Sequence, residues 1–475
     1  MKAAARSTKI VCTIGPATDS EETISELIDA GMNVARLNFS HGTRESHLAT
    51  LKRLRNVSRD KNVPLAILQD LSGPKIRVGI IENGPVLLKT GEQYRLTSEK
   101  GIGDEQRVSV TYDKLPQEIE PGDQVLLADG SIELKIAAID GNDIVCDIIV
   151  GGQLSSNKGI NLPGRSLSID ALTEKDKKDL EFGLKQDVDY VAMSFVRRAH
   201  DVEQLKRLMA KLRKQAPVIA KIEKHEAIQN LEEIVDTADG IMVARGDLAV
   251  ETPLSEVPIV QKKLIALCNS KGKPVITATQ MLKSMVDNPR PTRAEANDVA
   301  NAVLDGTDAV MLSEETTVGK YPVEAVHTMA MIIEVTENSG VANLQNRPRP
   351  GKGPASIQRG VCHAAFQMAE DLQAAAILTP TQSGSTPRMI SSYRPDHPII
   401  ALSPEEKTVR QLCLIWGVYP MVSASYDISA SMIEEVKSKA IKSGLVQFKD
   451  TVVIAGGMPI GAFGTTNFIK AEVIA

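Results

Sequence analysis

A parallel (β/α)8 barrel of the TIM type, interrupted by a small inserted β-barrel lid domain and followed by a C-terminal open α/β sheet domain, is the architecture this sequence predicts. Three observations predict it. Short apolar runs alternate with amphipathic helix signals eight times. One interval between runs is too long and changes to short, period-two hairpin patterning. A Pro/Gly/Ser-rich stretch then separates off a second, shorter α/β series.

The eight runs are TKIVCTIG (8–15), NVARLNFS (33–40), LAILQDLSG (65–73), YVAMSFVR (190–197), VIAKIE (218–223), GIMVARGD (240–247), PVITATQ (274–280) and AVMLSEE (309–315). Their nearly unbroken apolarity suits a parallel sheet covered on both faces. Between them, Asp19 and Glu22 form a capping-box pattern ahead of Ile24, Leu27 and Ile28, and Gly31 stops that helix. Thr292 and Glu295 repeat the device before Val299, Val303 and Leu304, with Gly306 following, and Leu205, Leu208, Met209 and Leu212 make another apolar stripe. From Leu71 to Lys158, alternating segments with frequent glycine predict a β domain inserted after the third barrel strand, placed to close over substrate. The stretch SGVANLQNRPRPGKGPAS (339–356) reads as a linker. Beyond it a helix from Ile357 and the strands AAAILTPT, PIIALSP, VYPMVS, TVVIAGG and IKAEVI are too few for a second barrel and predict an open sheet. The expected domains are 1–73 and 162–340 for the barrel, 74–161 for the insert and 341–475 for the C-terminal unit.

With 475 residues, 42% of them hydrophobic, the chain can bury large cores. A net charge of −5 and 3% aromatic residues argue against a nucleic-acid partner. No run reaches transmembrane length, and the opening apolar stretch is too short for a signal peptide, so a cytoplasmic enzyme with no membrane partner is expected. Five cysteines lie far apart without a CxxC pair and read as reduced core thiols.

Function in such a barrel sits at the C-terminal strand ends, and polar residues collect there: Arg36, Asn38, Ser40, His41, Asp70, Arg77, Lys221, Glu223, Arg245, Asp247, Thr279, Ser313 and Glu315. Glu223 and Asp247, on neighbouring strands, suit a hard dication such as Mg²⁺ or Mn²⁺, which takes oxygen ligands and keeps positions for substrate. More cations are present than two carboxylates neutralise, and arginine and lysine are phosphate partners. Metal, Lys and Arg together fit phosphoryl transfer. Taken singly, Lys221 and Glu223 also suit a structural ion pair, Ser40 and Thr279 suit helix caps, and His41 suits a turn; convergence on one barrel face is what joins them.

The blocks ARLNFSHG, GPKIR, NKGINLPG, VIAKIEKHEAI, MVARGDL, ATQML, NPRPTRAEANDVANAVLDGTDAVMLSEET and GKYP, in this order, closely resemble the pyruvate kinase family over almost the whole chain. The resemblance implies transfer of a phosphoryl group from phosphoenolpyruvate to ADP, giving pyruvate and ATP. It implies that Lys221 contacts the phosphoryl group in flight, that Glu223 and Asp247 hold the metal, and that Arg36 grips phosphate. Backbone amides of Gly246 and Asp247 would take the substrate carboxylate, and Thr279 would lie near the carbon that becomes the pyruvate methyl, within a proton relay. Arg77 and Lys158 resemble nucleotide-phosphate contacts, with Asn38, Phe39, Ser40 and His41 lining the same site. A homotetramer is implied in the same way.

Two departures from the family pattern stand out. Many members have glutamate at Lys75 and bind potassium through positions matching Asn38, Ser40 and Asp70, with a threonine at Leu71. Lys75 is expected to place its ammonium near that cavity and substitute for the ion, so that potassium is not required. Glu314 stands where a small residue is usual, with only an extra surface charge to suggest. In the C-terminal domain, TPTQSGSTPR opens a helix after a strand, and Thr381, Ser383, Gly384, Ser385 and Thr386 can present hydroxyls and amides to a phosphate, which the resemblance assigns to an allosteric effector. The last loop, 455–467, has no Lys or Arg, which favours a monophosphate (a sugar phosphate or AMP) over a bisphosphate. A metal-dependent lyase acting on a pyruvate enolate would leave the insert, Arg77 and Lys158 without a purpose. A silent metabolite sensor would not need Lys221, Glu223, Asp247 and Thr279.

Overall fold

The structure is a computed structural model that describes residues 6–341, 356–424, 429–458 and 466–474. Eight parallel strands, Lys9–Thr13, Val34–Asn38, Ala66–Asp70, Tyr190–Met193, Val218–Ile222, Gly240–Ala244, Val275–Ala278 and Ala309–Leu312, close into a barrel, the first pairing with the last through Lys9 and Ala309. All eight expected runs are strands, and those whose polar tails extend past the ladder end early. Glu223 follows the strand end at Ile222, Thr279 follows Ala278, and Asp247 lies in the helix Arg245–Glu251. Functional side chains therefore sit on short, fixed tethers at the rim.

The helices that cover the barrel are bounded as the sequence suggests, with one exception. Thr292 and Glu295 form both arms of a capping box, and Gly31 ends the first helix at φ 119°, in the left-handed region. The N-cap of Glu21–Ala30, however, is Ser20, whose hydroxyl accepts from the Thr23 amide at 3.1 Å, not Asp19. Asp19 instead forms an ion pair with Arg53 of the next helix, so a tertiary contact takes the residue that local pattern assigns to the cap.

The insert falls between the third and fourth barrel strands. Its six-stranded sheet runs from the edge strand Ile160–Asn161 to the edge strand Arg107–Ser109. Isolated bridges from Arg77 to Gly159 and from Val78 to Val110 join those two edges, so the insert closes as a small barrel through residues 77 and 78. The C-terminal domain is an open five-stranded sheet in the order Val418–Val422, Ile399–Ser403, Ala376–Pro380, Thr451–Gly457, Thr466–Val473, with the last strand antiparallel. Cys413 and Leu414 of this domain pack into the apolar interior of the barrel and close its floor. All five cysteines are buried free thiols, and no helix among the described residues is long and apolar enough to cross a membrane.

Candidate active site at the barrel mouth

Three strands build the centre of the mouth. Lys221, on Val218–Ile222, is buried, and its Nζ lies 2.9 Å from Glu223 Oε1, 3.3 Å from Asp70 Oδ1 and 2.8 Å from Ser194 Oγ. Burial works against the ammonium charge, yet Asp70 and Glu223 more than offset it and hold the pKa above that of an ordinary lysine. Asp70 is buried too, but Lys221 and Arg36 hold its carboxyl below the usual range. Arg36 is pinned through Nε to Asp70 Oδ2 at 2.7 Å and through Nη1 to Thr13 Oγ1 at 2.9 Å. Burial raises the Glu223 carboxyl against the pull of Lys221, and Asp247 pushes in the same direction, which places these two carboxylates within electrostatic reach of each other.

Backbone strain accompanies the charges. Thr279 has φ 71°, a left-handed conformation that a β-branched residue rarely adopts. Its Oγ1 accepts the Gly246 amide at 2.7 Å, and its carbonyl accepts Arg245 Nη2 at 2.8 Å. Arg245 in turn is held by Asp298 at 2.6 Å, so this arginine clamps the Thr279 backbone. Phe195, also left-handed at φ 55°, donates its amide to Glu223 Oε2 at 2.7 Å. Glu315 is buried and accepts the amides of Ser313 and Leu282.

The insert meets the mouth on one side. Lys75 Nζ lies 3.1 Å from Asp247 Oδ1 and 3.6 Å from Asp129 Oδ1 of the insert. Arg77 and Lys158 are brought together by the bridge between Arg77 and Gly159, with Arg77 Nη1 on the Asn157 carbonyl at 2.9 Å. Asn161 Nδ2 and Lys224 Nζ both bind Glu251 Oε1, at 2.7 and 2.6 Å, and fasten the base of the insert to the barrel.

The model of the pyruvate kinase barrel domain matches residues 5–326, and that of the pyruvate kinase alpha/beta domain matches residues 359–471. The chain is 49% identical to pyruvate kinase 2 of Synechocystis sp., over 99% of this chain and 79% of the relative. It is 46% identical to the pyruvate kinase of Geobacillus stearothermophilus, over 99% of this chain and 81% of the relative. The chain belongs to the pyruvate kinase family. In solved form, a pyruvate kinase from Cryptosporidium parvum superposes with a TM-score of 0.92 at 35% identity, over 99% of this chain and 97% of that one.

Against the family pattern, several expected residues stand differently in the structure. Lys75 forms its ion pairs with Asp247 and Asp129, while Asp70 is paired with Arg36 and Lys221. The excess of cations expected at the mouth is likewise offset, because Asp70 joins Glu223 and Asp247 opposite Arg36, Lys221 and Lys75. Gly246 does not offer a free amide, its N–H being taken by Thr279. Phe39 is buried with its ring stacked on His47 at 4.1 Å, so only its backbone faces the loop 38–41, where Asn38 Oδ1 accepts the Ser40 amide at 3.1 Å. His41 is exposed, and its carbonyl lies 2.9 Å from His47 Nε2. Glu314 pairs with Lys283, which accounts for a charge that sequence alone left unexplained.

Two contributors escaped the sequence reading, Ser194 on Lys221 and Phe195 on Glu223. Both lie in YVAMSFVR, whose only charge is the arginine at its end, and the signal available was their position just past a barrel strand ending at Met193. In the C-terminal loop, Gly384 is left-handed at φ 76° and its amide donates to Thr381 Oγ1 at 3.0 Å, while Ser383 Oγ donates to Ser385 Oγ at 3.2 Å. Thr386 is buried and its hydroxyl pairs with that of Thr466 at 2.7 Å. Residues 459–465 of the last loop lie outside the described residues.

Proposed function

We propose that the chain transfers the phosphoryl group of phosphoenolpyruvate to ADP, yielding pyruvate and ATP in glycolysis. The observation that carries this reading is the Lys221 ammonium, held within 3.3 Å of Asp70 and 2.9 Å of Glu223 at the open end of the barrel. The bond from phosphorus to the enol oxygen breaks, a terminal oxygen of ADP takes the phosphoryl group, and the enolate left behind gains a proton at its methylene carbon. Lys221 is a fixed, always protonated charge beside the migrating group, where preorganised charge contributes most. Arg36, its fork pre-set by Asp70 and Thr13, holds phosphate oxygens. Thr279 stands in the proton path to the enolate carbon, its hydroxyl oriented by the Gly246 amide and the Ala278 carbonyl. Arg77 and Lys158, with the loop 38–41, take the nucleotide phosphates.

Glu223 and Asp247 fit a hard dication, being carboxylates on neighbouring strands of which Glu223 is held above the usual carboxylate range by burial and by the charge of Asp247. Mg²⁺ or Mn²⁺ bound there supplies neutralisation of substrate oxygens. Potassium is not required on this reading: Asp70 is saturated by Arg36 and Lys221, and Lys75 contributes a permanent positive charge to the site. Strong activation by KCl in tetramethylammonium buffer contradicts that part.

On the same reading, regulation acts through the loop 381–386. The strand Ala376–Pro380 pairs with Ile399–Ser403 on one side and Thr451–Gly457 on the other, so the loop leaves the sheet at its topological switch point, where ligands of open α/β sheets bind. A phosphorylated monoanionic-site effector, a sugar phosphate or AMP, fits Ser383, Gly384 and Ser385 there. A cytoplasmic homotetramer completes the reading. The test is the purified chain with phosphoenolpyruvate and Mg²⁺: pyruvate must appear only when ADP is added, in step with ATP. Pyruvate without ADP marks a lyase, and no pyruvate marks a silent sensor.

A further inference from the structure

We infer that Asp298, on the helix Arg293–Leu304, is a positioning residue for proton delivery: acting through Arg245, it fixes the direction of the Thr279 hydroxyl. The inference rests on the reading of Thr279 as a member of the proton path given above, and it names what holds that hydroxyl in place. The Thr279 oxygen accepts the amide of Gly246, the residue next to Arg245, at 2.7 Å, and its proton goes to the Ala278 carbonyl at 2.6 Å. The same Ala278 carbonyl accepts Arg245 Nε at 3.1 Å. Both the donor and the acceptor that orient the hydroxyl are thus tied to Arg245.

Strand register brings these groups together. Ala244 and Ala278 are partners at the ends of Gly240–Ala244 and Val275–Ala278, so Arg245 and Thr279 leave the sheet side by side. Thr279 and Gln280 are then left-handed in succession, at φ 71° and 56°, a conformation that residues other than glycine hold only under restraint. Arg245 supplies that restraint: besides Nε on Ala278, its Nη2 donates to the Thr279 carbonyl at 2.8 Å. These two carbonyls belong to the peptide planes on either side of the Thr279 Cα, and one guanidinium grips both.

Asp298 aims the guanidinium. Its Oδ1 accepts Nη1 at 2.6 Å and its Oδ2 accepts Nη2 at 2.7 Å, a two-pronged geometry that sets the plane of an arginine as well as its distance. Among the described residues it is the sole carboxylate in an ion pair with Arg245, whose side chain is 14% exposed. Gln261 adds only a longer contact, from Nη1 to its Oε1 at 3.3 Å. A proton donor must meet its carbon along one line, so misdirecting the hydroxyl slows the chemical step while leaving substrate affinity nearly as it was.

The test measures turnover and KM for phosphoenolpyruvate in the full chain, with saturating ADP and Mg²⁺ and with folding of each variant verified by circular dichroism. Asp298→Asn keeps the shape of the side chain but loses its charge and one of the two prongs. Turnover should fall about tenfold, with KM within about twofold of the unaltered protein. Arg245→Lys, which keeps the positive charge and loses the fork, should do the same, and it takes the place of Asp298→Asn in every arm if asparagine at 298 impairs folding. Because Asp298 acts through Thr279, adding Asp298→Asn to Thr279→Ala should cost no further activity. Unchanged turnover in the single variant overturns the inference, as does a rise in KM alone, or a further fall of more than about threefold in the double variant. Thr279→Ala separates the two levels: full turnover in that variant overturns the proton-path reading of Thr279 itself, whatever Asp298 does.

Discussion

At the floor of the barrel, Asp189 is fully buried and meets Arg55 at 2.8 Å, Arg410 of the C-terminal domain at 2.7 Å and the Ile67 amide at 2.7 Å. At the mouth, Lys221 is also buried but divides one ammonium among Asp70, Glu223 and Ser194. The floor repeats its arrangement around the ring. The residue just before a strand accepts the amide at the start of the strand beside it: Asn33 from Ile10, Asp239 from Val218, Asp308 from Val275, at 3.0, 2.8 and 2.9 Å. Arg394 then closes on Asp308 at 3.0 Å. Planar guanidinium forks hold Asp189 and Asp308, Lys206 holds Asp239 at 2.9 Å, and fixed backbone amides complete each set. The mouth relies more on lysines, Lys221 and Lys75, each a single charge shared between two carboxylates. The same barrel thus uses buried charge for cohesion at one end and gathers it around an open mouth at the other, as the division of labour in this fold leads one to expect.

The sharpest way to break that contrast is Asp189→Ala. It removes the buried carboxylate that Arg55 and Arg410 share and should cost about 3 kcal/mol of stability, read from denaturant unfolding, while turnover per folded molecule stays within about twofold. Turnover falling as steeply as stability would erase the distinction between the ends. Thr279→Ala sharpens it from the other side. Activity should fall about 10²-fold, the usual scale for a lost proton-transfer group, with unfolding free energy shifted by less than about 1 kcal/mol.

The smallest effect belongs to the floor's exception. Lys9 is buried with Nζ on the Val418 carbonyl at 2.8 Å and, among the described residues, no carboxylate within ion-pair distance, and burial together with Arg6 lowers its pKa to about 8. Unfolded, it returns toward 10.5, so the unfolded chain binds more protons between these values and stability should rise with pH across that window. Below pH 8 the charged, buried amine weighs against the fold in full. Lys9→Met should remove this rise and gain about 1 kcal/mol at pH 7, after the lost hydrogen bond is counted. Calorimetry at pH 7 and 10 checks it, and parallel profiles for the two proteins contradict it.

The barrel was legible because eight apolar runs had the length and spacing of a covered parallel sheet, and the rim residues because polar groups converge on one end of those runs. What stayed hidden has one physical origin. Ser194 and Phe195 act through a hydroxyl and a backbone amide, to which sequence gives no mark. Lys75 reads as a lone cation until the fold brings Asp247 and Asp129 to it. Asp189 and Asp308 look like ordinary turn residues, and their role as anchors depends on neighbouring strands and on arginines from another domain. Asp19 was misread for the same reason, a distant Arg53 outweighing a local cap.

The central claim is that the charge of Lys221 is held for a phosphoryl group in flight. Lys221→Met in the phosphoenolpyruvate and ADP assay tests it most directly, with folding verified by circular dichroism and Mn²⁺ binding measured alongside. Pyruvate formation should fall by about 10²–10³-fold while Mn²⁺ still binds; turnover within twofold of the unaltered protein would contradict it.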